Sequence, residues 1–137
     1  MRAGARVASQ TAVELVEPAL RQWVTDIRQD EARWCAMLTH AIISLDATPT
    51  SRTGAFYGKA MAIRNIGERL AFLNRGQRWV MRRLCALLPT VRDARLRSDL
   101  QAMLAAHQRN VLRVDARAGT AADEPGMPAP QRPAAPQ

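Results

Sequence analysis

Lysine is almost missing from this chain of 137 residues: Lys59 is the only one, and arginine carries nearly all of a formal net charge of +8. A basic surplus permits contact with nucleic acid or acidic surfaces, but it bears on solubility and association, not on fold. Cysteine is scarce. Cys35 and Cys85 lie far apart with no CxxC spacing, which excludes a zinc ribbon and a secreted, disulfide-stapled scaffold. Both are read as small buried hydrophobes. No uncharged run approaches the roughly eighteen residues of a membrane span, and the opening Met1-Arg-Ala-Gly-Ala-Arg lacks the apolar core of a signal peptide. A cytoplasmic protein without membrane contact is therefore expected. Enzyme signatures are also missing: there is no G-x-S-x-G, no H-E-x-x-H and no phosphate-cradling glycine loop. Gly4, Gly54, Gly58, Gly67 and Gly76 are dispersed. No internal repeat occurs, and β-branched alternation is nearly absent.

What the chain does have is helical period. A length of 137 residues suits one domain with a core of its own. Residues 2–16 carry a modest stripe through Val7, Ala8, Thr11, Ala12 and Leu15 before Pro18, which fits the first position of a new helix. From Ala19 to about Leu45, the residues Leu20, Val24, Ile27, Trp34, Leu38, Ile42 and Leu45 recur at threes and fours. A helix of that length needs partners along most of one face. Asp46–Gly54 reads as a loop, and a short helix is expected from Ala55 to Ile63, with Phe56 plugging one end of the assembly. Asn65 and Glu68 mark the start of a helix reaching Leu88. After Pro89, Asp93 (with or without Thr90) caps a last helix striped by Leu96, Leu100, Met103, Leu104 and Val111. The tight connection around Pro89 makes these two helices antiparallel neighbours. The expectation is an all-α helical bundle over residues 1–115, followed by a disordered tail rich in Ala, Pro and Gly over 116–137.

Three polar residues occupy inward positions of that period. Glu31 falls between Ile27 and Trp34, Gln77 between Leu73 and Val80, and His107 between Met103 and Val111. A buried carboxylate is costly unless it is paired, hydrogen-bonded or bound to a metal. The favoured expectation is a buried hydrogen-bond network of Glu31, Gln77 and His107, with Asn74 on its edge, that sets helix register. Carboxylate and imidazole are also ordinary metal ligands, so Glu31 and His107 are the candidate ligands of one iron or manganese ion. A di-iron bundle is excluded by count: it wants paired Glu-x-x-His motifs, whereas Trp34 follows Glu31 by three and Leu104 precedes His107 by three. A small-molecule pocket lined by the same groups with Trp34 and Cys35 is the third possibility.

Of the other features, His40 reads as exposed or capping. Trp23 and Trp79 read as anchors of an interhelical or subunit contact, so a homodimer is expected. Gly76, inside a helix, implies close approach of a neighbouring helix or of Trp34. Arg75, Arg78, Arg82 and Arg83, with Arg92, Arg95 and Arg97, form the strongest basic patch. Without a recognition helix or basic-aromatic interleaving, it reads as a solvated face paired in part with Asp93 and Asp99, and nucleic-acid binding is not favoured.

The blocks Asp30-Glu-Ala-Arg-Trp-Cys-Ala-Met-Leu38, Thr53-Gly-Ala-Phe-Tyr57, Arg69-Leu-Ala-Phe-Leu-Asn-Arg-Gly-Gln-Arg-Trp-Val80 and Asp99-Leu-Gln-Ala-Met-Leu-Ala-Ala-His107 resemble a small bacterial family of uncharacterised ferritin-like domains. The resemblance spans about residues 2–112. It implies a ferritin-like antiparallel four-helix bundle, without an established activity, and Glu31, Gln77 and His107 as shared polar positions. The family's opening block looks like Glu-Arg-Ala-Gly-Ala-Arg, and Met1 stands here where the acidic residue would be. Metal binding by the chain as given is thereby weakened, whether the start lies further upstream or the carboxylate is lacking. The functional expectation is a structural or interaction protein with a degenerate polar site. The alternatives are a metal-dependent redox protein, with Asp30 or Asp99 as a further ligand, and a basic-surface binder of nucleic acid.

Overall fold

The computed structural model describes residues 1–122, and side chains as far as Ala116. Among these residues there are helices and no strands. Helix α1 (Arg2–Glu14) lays Ala3, Gly4, Val7, Ala8 and Thr11 inward, a seam of small residues that lets a neighbouring backbone come close. It ends where Leu15 turns extended, and Pro18 opens α2 (Pro18–Ser44) at the position that needs no N–H. A three-residue link of this kind makes α1 and α2 antiparallel neighbours.

Helix α2 buries Trp23, Val24, Ile27, Glu31 and Trp34, a stripe at helical spacing. Leu45, expected to continue that stripe, is 70% exposed because the helix stops at Ser44 and the chain turns away through Asp46 in left-handed backbone. A short helix α3 (Phe56–Ala62) interrupts the connection to α4 (Ile66–Leu87). The start of α4 is fixed as expected: the Asn65 side chain accepts from the Glu68 N–H at 3.0 Å. A 3-10 turn, Leu88–Thr90, leads into α5 (Ala94–Ala122), where Asp93 accepts from the Leu96 N–H at 2.7 Å. Helix α5 continues beyond the boundary expected at residue 115, through the alanine-rich stretch to Ala122. The rest of the expected tail, residues 123–137, lies outside the described residues.

Helix α1 lies along α2 and α4 along α5; α2 also meets α5, and α1 meets α4. Helices α2 and α4 stand diagonally, their backbones apart, and meet only through side chains reaching across the middle. Directions follow from the contacts. Trp23 Nε1 donates to the Asn110 carbonyl while Glu31 faces His107, so α2 and α5 are antiparallel. Helix α4 is antiparallel to α5, so α2 and α4 run the same way, and the connection carrying α3 must return along the length of the assembly.

Phe56 does not plug an end. Its ring stacks on Phe72 with centroids 5.0 Å apart and lies across the middle of α4 at Gly76. A Cβ at Gly76 would stand 2.9 Å from two Phe56 ring carbons, so Phe56, and not Trp34, is what the glycine admits.

Two apolar clusters fill the interior. One gathers Val7, Ala8, Leu15, Trp23, Val24, Ile27, Ala60, Leu70 and Leu73. The other gathers Trp34, Leu84, Val91, Leu100, Met103 and Ala106. Trp23 is 3% exposed and belongs to the first cluster, which removes it as a subunit anchor; Trp79, at 56%, keeps its indole outside. The cysteine reading also needs correction: Cys35 is half-buried and Cys85 exposed, because Cys85 follows the buried Leu84 and turns to the outer face of α4.

Candidate functional site

Glu31, Gln77 and His107 are each at most 3% exposed, and in sequence each stands between members of the two apolar clusters on its own helix or beside them. The three residues come from α2, α4 and α5. Gln77 Nε2 donates to Glu31 Oε1 at 2.8 Å, and His107 Nε2 lies 3.5 Å from the same oxygen. On the other side of the ring, His107 Nδ1 is 2.9 Å from the Met103 carbonyl one turn back. A carbonyl can only accept, so Nδ1 carries the hydrogen. Nε2 then directs toward Glu31 either a second N–H, which pairs with the carboxylate, or a lone pair, which leaves two acceptors face to face. Among the described residues neither His107 Nε2 nor Gln77 Oε1 has a hydrogen-bond partner.

Helix α1 contributes through an absence. A Cβ at Gly4 would stand 2.8 Å from Glu31 Oε2 and 3.0 Å from its Cδ, so only glycine leaves room for the carboxylate. Oε2 accepts no hydrogen bond within the described residues; the Met1 amino group lies 3.6 Å from it. The role of Gly4 carried a sequence signal, a glycine within a helical stretch, that its reading as one of several dispersed glycines passed over.

Asn74 is buried as expected but points elsewhere, to Asp115 Oδ1 at 3.5 Å. Trp34 is buried in the second apolar cluster with its indole N–H unpartnered, and Cys35 lines a separate groove near Thr39 and Thr53. A cavity of about 570 Å³ has neither residue in its lining and opens instead beside Glu31 and Gln77, bounded by Gly4, Phe56, Phe72 and Gly76.

Two more buried polar groups escaped sequence reading. Arg69, 4% exposed, donates to Glu14 Oε2 at 3.0 Å and to the Ile63 carbonyl at 2.9 Å. It stands eight residues before Gln77 on the same face, yet a charged side chain in a helix is ordinarily assigned outward. Asn110, three residues past His107, donates to Asp30 Oδ2 at 3.1 Å and so ties α5 to α2. Asp30 is thereby engaged outside the junction. The basic patch pairs differently from expectation: Arg78 grips Asp115 at 2.6 and 2.7 Å, because Asp93 is committed to its cap.

As a metal centre, the donor set is short. No group of three or more His, Cys, Asp or Glu able to hold a metal occurs among the described residues. A carboxylate-bridged dinuclear site needs several more such ligands, and the residues do not fit one. Among the described residues no helix is long and apolar enough to cross a membrane. The sequence model of one family, described as Domain of unknown function (DUF6306), matches residues 1–116. No curated protein and no solved structure matches the chain.

Proposed function

We propose that this chain, which belongs to the family described as Domain of unknown function (DUF6306), is a ferritin-like antiparallel four-helix bundle with a structural or interaction role, built around a degenerate polar junction. The bundle reading is supported by the pairing of α1 with α2 and α4 with α5, and by the long return between the parallel α2 and α4. Ferritin-like bundles carry one such crossover. One observation carries the functional reading: Gln77 Nε2 at 2.8 Å and His107 Nε2 at 3.5 Å converge on a single oxygen of Glu31. Such a junction joins three helices at one atom and penalises any slip that would strand its members.

The test is a double-mutant cycle. Glu31→Leu and Gln77→Leu are each expected to destabilise the chain while leaving a cooperative melt, and the pair together to cost less than their sum. Strict additivity, or loss of cooperativity in Glu31→Leu alone, overturns the reading.

A second reading, one iron or manganese ion held by Glu31 and His107, is favoured by their 3.5 Å separation, a span that two ligands about 2 Å from one ion can share. Elemental analysis of protein from metal-supplemented medium decides it: substoichiometric metal, unchanged in His107→Ala, ends that reading. Nucleic-acid binding gains little support, because Arg69, Arg78 and Arg113 pair with carboxylates, and Arg21 and Arg97 donate to main-chain carbonyls.

A further inference from the structure

We infer that the cavity beside Glu31 binds a small amphipathic anion: a flat apolar body with a hydrogen-bond donor at its inner end and a carboxylate, sulfonate or phosphate at its outer end. Its volume, about 570 Å³, lies in the range of roughly 300–1,000 Å³ usual for small-molecule sites. The floor is polar and buried. Glu31 lines it, with its Oε2 3.6 Å from the Met1 amino group, which lines the same space. Gln77, 3% exposed, lines the same floor and holds an unpartnered Oε1. A buried amide oxygen without a donor beside a cavity calls for a ligand group that donates.

The walls are apolar. Phe56 and Phe72, stacked on each other, and Leu73 and Val80 line the space. Glycines open it from two helices: Gly4 on α1 and Gly76 on α4 both border the cavity, and a Cβ on either would meet a neighbour inside 3 Å. The mouth is cationic and aromatic. Arg75 and Arg82, seven residues apart on one face of α4, are exposed, and Trp79 lies between them with half its surface in solvent. Among the described residues neither arginine is in an ion pair, while three others on the surface or below it are. Two unneutralised guanidinium groups at the rim of an aromatic cleft select an anionic end group.

The test is a fluorescence titration of the full chain with two probes of the same aromatic body, anilinonaphthalenesulfonate and the neutral phenylnaphthylamine. Each carries an N–H donor, and only the first carries an anion. The folded chain is expected to bind the sulfonate saturably, one per chain, and at least about tenfold more tightly than the neutral probe, the worth of one charge-assisted contact. Exchanging both arginines (R75E with R82E) is expected to erase that preference, while exchanging Arg92 and Arg95, which do not line the cavity, leaves it. Val80→Phe, filling the space from α4, is expected to abolish binding of both probes with the circular-dichroism melt retained. The proposal is overturned by absence of saturable binding, by equal affinity for the two probes, or by a preference that survives R75E with R82E. Should Val80→Phe disturb the melt, the exposed arginine pair alone decides the matter.

Discussion

At the scale of single residues, Gly4 and Gly76 look alike in sequence and differ in what they admit. Gly4 faces the tip of a buried carboxylate that is itself held by Gln77, so the obstacle cannot swing away without breaking the 2.8 Å bond. Gly4→Ala is expected to destabilise the chain by about 1–2 kcal/mol, overpacking outweighing the helix propensity gained; chemical denaturation measures it. Gly76 faces the edge of the half-buried Phe56 ring, which can move. Gly76→Ala alone is expected to cost less than Gly4→Ala, and pairing it with Phe56→Ala is expected to recover most of the loss. The polar junction makes its own prediction at this scale. Glu31→Leu strands the Gln77 amide and His107 Nε2 in an apolar setting and is expected to cost about 2–4 kcal/mol, with much of that recovered when Gln77 is also replaced by Leu.

At the scale of elements, the helix starts were legible and the helix faces only partly so. Asn65 and Asp93 sit where their short side chains reach the third amide onward, and both bonds form. Asp93→Ala is expected to lose about 1 kcal/mol, the usual worth of a side-chain cap, and thermal melts of D93A and N65A check this. Three inward polar residues were also legible, because each interrupts an apolar stripe without shifting its period. What the sequence obscured has two physical sources. Charge disguised Arg69, whose guanidinium is buried only because Glu14 and the Ile63 carbonyl meet it from separate elements. Distance along the chain disguised the cavity: its walls come from α1, α3 and α4, and nothing in the local period of any one of them announces a space between them. Trp34 and Cys35 were adjacent to Glu31 in sequence and were for that reason expected beside it, but helical geometry sends them to other neighbours.

At the scale of the whole molecule, arginine is spent internally more than its surplus suggests. Arg69, Arg78 and Arg113 meet carboxylates, while Arg6 lies 4.1 Å over the Tyr57 ring and Arg33 lies 4.6 Å over Trp34. A homodimer, expected from two tryptophans, now rests on Trp79 alone. Sedimentation velocity of the full chain and of Trp79→Ala checks it: a two-copy particle that the substitution converts to a single chain supports the dimer, and an unchanged distribution ends that expectation.

The arrangement of the four long helices has a consequence for assembly. Glu31 belongs to the hairpin of α1 and α2, whereas Gln77 and His107 belong to the hairpin of α4 and α5. The acid and its two partners are therefore a clasp between halves that are each contiguous in sequence. Two peptides cut within residues 47–53 should find each other in trans, and the same clasp would decide whether they join in the native alignment or exchange halves between neighbouring copies.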